Sequence, residues 1–316
     1  MRWRAGRPVL GWSVQGRDER RESAPTVGRP LAFACRGGRR CLGVWRGGRH
    51  TECPRAAEVP ARGARAQCPE CARIDRSYSV AADTAVDDPR PYGVYLAYFG
   101  PGLLKVGITA VERGPARLLE QGAVAFVWLG RGPLMAARRA EAVLGGALGV
   151  PDRVPYARKR AVRGVLPEVR ERLSELRECH ARVGEVEGWP ESLSRLPFEP
   201  VDHSAEFGLP ALESAAAGQV AGDGGGGAVV RELAEDGVVG GRLLAAAGPD
   251  LHLWSSWRDP GTGRVRDGVV VVDTRLMSGW GLVAAEPDED AVGVSVPVVE
   301  GGAGAGTAGG VQGGLF

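Results

Sequence analysis

An α+β fold is predicted for this chain of 316 residues, and three observations predict it. Five of the six cysteines fall within the first 80 residues, in a stretch too poor in large apolar side chains to build its own core. The segment YGVYLAYFGPGLLKVGIT, residues 92 to 109, reads as strand, turn and strand. Beyond residue 229, four runs rich in Val, Leu and Ala alternate with Gly, Pro and Asp. Together these give an N-terminal zinc-ribbon-like element, a hairpin-helix-strand-helix domain and a small C-terminal antiparallel β-domain. The length exceeds that of one ordinary hydrophobic core, so several domains are expected.

The expected boundaries follow composition. Residues 1–85 form a basic, cysteine-rich zinc-binding region, residues 86–199 an α/β domain with its following helices, and residues 200–228 a flexible linker ending in GDGGGG. A small β-domain over 229–299 and a disordered tail over 300–316 complete the chain. No apolar run approaches the roughly 18 residues that a membrane span needs, and MRWRAGRPVLGWSV lacks the apolar core of a signal peptide. The expectation is a cytoplasmic protein with no membrane partner.

Charge is asymmetric although the formal net is only +2. Residues 1 to 80 carry 17 Arg and no Lys against 7 acids, whereas residues 201 to 316 carry 6 Arg against 16 acids. A basic front end suits a polyanion, so nucleic acid is the expected partner.

The cysteines stand at 35, 41, 53, 68, 71 and 179. Cys68-Pro-Glu-Cys71 can turn two thiolates onto one tetrahedral ion, and Cys41 and Cys53 supply the other pair, giving C-x11-C-x14-C-x2-C. Cys35 or His50 could replace one of that pair. A closed four-ligand zinc is structural, and would explain how this segment folds. Cys179 lies on the apolar stripe of a helix over 167–183, with Val169, Leu173 and Leu176, and reads as a buried thiol.

Over 90–150 the pattern is strand (Val94 to Phe99), strand (Leu103 to Thr109), a helix opening at Pro115, a strand over 123–129 and a helix opening at Pro133. A three-residue loop, Gly100 to Gly102, sets Phe99 opposite Leu103. Tyr95, Ala97 and Phe99 then share a face with Lys105, Gly107 and Thr109, and Tyr95 and Lys105 become diagonal neighbours. That polar face is expected to be a surface, with the opposite face, Val94, Leu96, Tyr98, Leu104, Val106 and Ile108, turned to the core. In the second helix Glu141 falls on the stripe of Leu134, Ala137, Leu144 and Leu148, where an acid needs a partner or a metal; pairing with Arg138 at the stripe's edge is the alternative.

Gly93-Val94-Tyr95, Lys105-Val106-Gly107, Arg117 in a helix and Glu141 in a later helix resemble the GIY-YIG endonuclease domain over roughly residues 90 to 150. The front of the chain, RRCLGVWRGGRHTECP, QCPECARID, KVGIT and RLLEQGA, is similar to an uncharacterised bacterial family with a four-cysteine element before such a hairpin. The resemblance implies a nucleic-acid-binding protein with a Mg²⁺-dependent phosphodiesterase site. Tyr95 would activate or orient the nucleophile, Arg117 stabilise the phosphate oxyanion and Glu141 hold Mg²⁺. Lys105 stands where the family has its second tyrosine, and could bind phosphate or lower a neighbouring phenol's pKa. Arg113 rivals Arg117, because the spacing after Gly107 is about two residues longer than the family's. The alternative is a non-catalytic, zinc-stabilised module that binds nucleic acid or protein.

Overall fold

The computed structural model describes residues 1–13, 20–46, 49–77, 88–151, 153–221, 227–285 and 292–300. It is a mixed α+β structure of several sheets, with seven α-helices among the described residues. The chain divides into two units that are discontinuous in sequence.

The first unit takes residues 1–24, 86–214 and 245–249. Its centre is the strand Tyr92–Tyr98, paired antiparallel with Leu104–Ala110 on one side and Ala125–Gly132 on the other. The hairpin forms with the expected register: Tyr95 faces Gly107, Ala97 faces Lys105, and the Phe99 amide donates to the Leu103 carbonyl at 2.9 Å. Gly102, at φ +66°, supplies the left-handed turn residue. Short strands Ser194–Arg195 and Val201–Asp202 extend the sheet beyond Ala125–Gly132. Residues 1–13 and 20–24 contribute an antiparallel meander of Arg2–Arg4, Arg7–Ser13 and Arg20–Ser23.

Proline opens both predicted helices, occupying the position just before Ala116–Gln121 and Leu134–Leu148. Left-handed Gly122 and Gly149 close them, as helix ends favour. The longer helix packs on both hairpin strands. It buries Leu134, Ala136, Ala137, Ala140, Leu144 and Leu148, and leaves Glu141 half-buried beside that stripe. The Val169–Glu185 helix buries Arg172, Leu176, Cys179 and Val183, so its inward stripe is turned from the predicted one and Val169 is exposed. Cys179 is a buried thiol whose pKa is raised by that burial. The helices Tyr156–Val162, Ser204–Phe207 and Leu209–Ala221 have no counterpart in the sequence reading.

The second unit takes residues 25–85, 215–244 and 250–316. Its seven-stranded sheet runs Gly281–Ala284, Pro30–Arg36, Val238–Ala247, Asp250–Arg258, Val265–Asp273, Ala228–Val230 and Val298–Glu300. All four predicted C-terminal strands are present. The sheet is not purely antiparallel, because Ala228–Val230 pairs parallel with Val265–Asp273. Nor is it built from the C-terminal segment alone. Pro30–Arg36, from the cysteine-rich front, lies between Gly281–Ala284 and Val238–Ala247, and largely apolar PLAFACR is better satisfied in that wide sheet than beside a metal element whose own sheet has two short strands.

The linker expected over 200–228 is largely helical, because its alanines favour helix and Phe207, Leu209 and Leu212 are fully or nearly fully buried. Residues 222–226, and the tail over 301–316, lie outside the described residues. No helix is long and apolar enough to cross a membrane among the described residues.

Candidate functional site

The metal element begins at Cys41 and ends on the first turn of the Pro69–Ser77 helix. Gly43, at φ +74°, folds the chain back on itself so closely that a Cβ there would lie 2.0 Å from the Thr51 carbonyl oxygen. That reversal sets Cys41 beside Cys53 and joins the short hairpin Val44–Arg46 with Arg49–Thr51. The helix start does the same for Cys68 and Cys71, with the Ala72 amide donating to the Cys68 carbonyl at 2.9 Å. The sulfurs of Cys41, Cys53, Cys68 and Cys71 all lie within 4.8 Å of one another. Tetrahedral Zn–S bonds of about 2.3 Å set sulfurs about 3.8 Å apart, inside that limit, so the donor set fits a structural zinc.

The surroundings favour a thiolate at Cys53 and oppose one at Cys41 and Cys71. The amides of Gly43 and Cys68 donate to Cys41 Sγ at 3.4 and 3.2 Å, opposing the burial that raises its pKa. Backbone donors at Ala57 and Arg55 hold the Cys53 thiol down at about 7. Burial pushes Cys71 well above the usual thiol range. A buried quartet of sulfurs with no cation cannot ionise together, and a divalent ion removes that conflict.

The two rival ligands lie elsewhere. Cys35 is fully buried in the seven-stranded sheet, where burial lifts its thiol to about 11. His50 stacks on Trp45 with ring centres 4.6 Å apart and shares a hydrogen bond with the Leu42 carbonyl. Buried Arg39 fastens the element, donating to the carbonyls of Ser278 and Pro60, each at 2.8 Å.

The hairpin face differs from the expected surface. Tyr95, Ala97 and Phe99 are buried with Leu103, Leu118, Ala123, Phe126 and Val154 in one apolar cluster. Tyr95 is only 1% exposed, and its hydroxyl accepts a hydrogen bond from Gln121 Nε2 at 2.8 Å. Burial raises the phenol's pKa above 10; the Gln121 bond and then the Arg117 guanidinium pull against that rise, while the Glu141 carboxylate adds to it. The phenol therefore feels charges from both helices. Lowering by Lys105 is not what governs it.

Arg117 is half-buried and lies 3.9 Å from Glu120. Arg113 is tied to the same carboxylate at 2.6 Å, and the charge that reaches Tyr95 is that of Arg117. Lys105 is half-buried, opposite Ala97 and diagonal to Tyr95.

A family model described as Protein of unknown function (DUF2797) matches residues 28–282. The chain belongs to the DUF2797 family. Comparison with the curated proteins and with the solved structures gives no match. In this DUF2797 chain the matched span includes both the four-cysteine cluster and the whole hairpin region.

Sequence reasoning passed over three groups of the DUF2797 hairpin region. Gln121 holds the Tyr95 hydroxyl. Lys159, one of the chain's two lysines, is buried with Nζ 2.9 Å from the Gln121 carbonyl and 3.8 Å from the centre of the Phe99 ring. Trp128 sits opposite Tyr95 on the neighbouring strand, in edge contact with it at 6.1 Å. The rarity of lysine was the one signal that could have drawn attention to Lys159.

Proposed function

We propose that the protein is a zinc-stabilised, nucleic-acid-binding phosphodiesterase of the GIY-YIG-like kind, with Tyr95, Lys105, Arg117 and Glu141 at its site and Mg²⁺ held through Glu141. Cys41, Cys53, Cys68 and Cys71 hold the structural zinc. What supports the reading is that the Tyr95 hydroxyl, held at 2.8 Å by Gln121 of the Ala116–Gln121 helix, lies within range of the charges of Arg117 and Glu141, one on each helix. A divalent ion supplies a Lewis acid for the attacked phosphodiester. The guanidinium of Arg117 stabilises negative charge on the phosphoryl oxygens, Lys105 supplies a further cation from the hairpin, and Tyr95 orients a proton donor or nucleophile.

One observation favours a second reading, a binding module without catalysis. A phenol that is buried, hydrogen-bonded to an amide and raised in pKa is a poor base, and serves equally well as a core residue that fixes the sheet.

The experiment incubates the purified, zinc-loaded chain with DNA and RNA in Mg²⁺ or Mn²⁺, beside Glu141→Ala and Tyr95→Phe. Cleavage by the parent that is lost in Glu141→Ala supports the phosphodiesterase. Equal cleavage by both removes Glu141 from the site. Salt-sensitive binding with no cleavage under either metal selects the binding module.

A further inference from the structure

One cleft opens at the end of the same sheet face, beyond Tyr95. It measures about 200 Å³ and is lined by Gly93, Trp128, Gly130 and Arg131 of the sheet and by Gly114 and Pro115 before the Ala116–Gln121 helix, among others. Three of those six residues have no side chain. At Gly93 none would fit, since a Cβ would lie 2.7 Å from the six-membered ring of Trp128. Trp128 is therefore laid across bare backbone, and edge contacts with Tyr95 and Phe126, at 6.1 and 5.4 Å, fix its ring.

Two polar groups on this wall are unused. The Trp128 indole N–H makes no hydrogen bond, and the exposed Arg131 guanidinium makes no ion pair or hydrogen bond, among the described residues. A rigid aromatic ring with a spare donor, next to an unneutralised cation, suits a flat heteroaromatic group that carries a phosphate. The volume lies below the roughly 300–1,000 Å³ of sites for whole drug-sized ligands, which matches a single ring system with the rest of its chain outside.

We propose that this cleft takes one unpaired nucleobase, stacked on Trp128, with Arg131 on the adjoining phosphate, so that the substrate is single-stranded nucleic acid. A base still paired in a duplex cannot leave its stack to enter without an unstacking cost. The inference deepens the proposed function and rests on it for the identity of the polymer. The cleft's geometry is independent of whether cleavage occurs.

The test measures binding without added Mg²⁺, so that cleavage plays no part. A fluorescein-labelled oligothymidylate and a duplex of equal length are titrated into the zinc-loaded full chain, with Trp128→Phe, Trp128→Leu and Arg131→Ala in parallel and circular dichroism as the check on folding. The single strand is expected to bind about tenfold more tightly than the duplex, Trp128→Leu and Arg131→Ala each to lose about tenfold on the single strand, and Trp128→Phe to lose less. Arg131 is exposed, so its variant reads binding without threatening the fold.

Binding of both polymers that is equal and unmoved by Arg131→Ala or Trp128→Phe overturns the cleft assignment and leaves the nucleic-acid reading standing. Absence of binding to either polymer overturns both. Retained single-strand preference in Glu141→Ala, with cleavage gone, supports both together.

Discussion

A Cβ on Gly107 would lie 2.3 Å from the Tyr95 hydroxyl and 2.5 Å from the carbon that carries it. The phenol crosses the hairpin to lie over the facing glycine, and reaches Gln121 only because nothing stands in its way.

Gly107→Ala should therefore act on Tyr95 rather than on its own strand. Overpacking of this kind costs about 1–3 kcal/mol. Urea denaturation followed by fluorescence should show that loss. A companion Gly107→Ala/Tyr95→Phe pair should recover part of it, because the shorter ring removes the closest clash. A double variant no more stable than the single one would place the strain elsewhere.

Metal content should follow the sulfurs. Cys41→Ser, Cys53→Ser, Cys68→Ser and Cys71→Ser should each lower zinc in the purified chain, whereas Cys35→Ser and His50→Ala should leave it unchanged. Elemental analysis of the six proteins decides this. Loss of zinc in Cys35→Ser would mean that the cluster is not the one formed by the four convergent thiols.

Chelation should unfold the element locally. Its apolar contacts are few: Val44, Val59 and Ala66 buried with the cysteines, and Ala57 and Ile74 partly so. Limited proteolysis after zinc removal should cut within 41–71 before it cuts the hairpin strands, where every residue of Tyr92–Tyr98 is buried. Equal protection of both regions would show that the metal adds nothing to stability.

Acid should weaken the first unit through His203. The ring is buried between Phe126 and Phe207, and its Nδ1 shares a hydrogen bond of 2.9 Å with the Ala123 carbonyl. Burial lowers its pKa below 6.5, with Ala123, Glu206 and Asp202 pulling weakly the other way. The unfolded chain then binds a proton that the folded chain refuses, so stability falls as pH drops below about 6.5. His180, also lowered by burial, contributes in the same direction. Thermal unfolding between pH 7.5 and pH 5.5, about one unit either side of that pKa, should show the fall, and His203→Phe should flatten it. An unchanged slope in the variant would assign the acid sensitivity to other groups.

Much of the local structure was legible in the residues. Gly100-Pro101-Gly102 fixed the hairpin loop, and with it the pairing of Tyr95 with Gly107, because side chains alternate along a strand and a loop of known length sets the register. Pro115 and Pro133 marked helix starts for reasons that lie in their own backbone preferences. Burial was less legible. Alternation distinguishes the two faces of a hairpin, but whether a face meets solvent depends on what covers it; Leu118 and Val154 come from segments with no local signal of that contact. The stripe on Val169–Glu185 was misplaced for a related reason, since Arg172 is buried against Ser204 and Asp202, distant partners that make an inward arginine tolerable.

By itself, then, the sequence determined the strands, turn and helix starts of the hairpin region and the set of thiols available to a metal, because these follow from period, glycine and proline within a few residues. Only the tertiary structure decided that Cys35 leaves the metal element for a sheet shared with residues 228–300 and that Tyr95 is covered. Those outcomes depend on strand pairing and packing between segments far apart in the chain, where the free energy lies in excluding water from surfaces that no local pattern can match to one another.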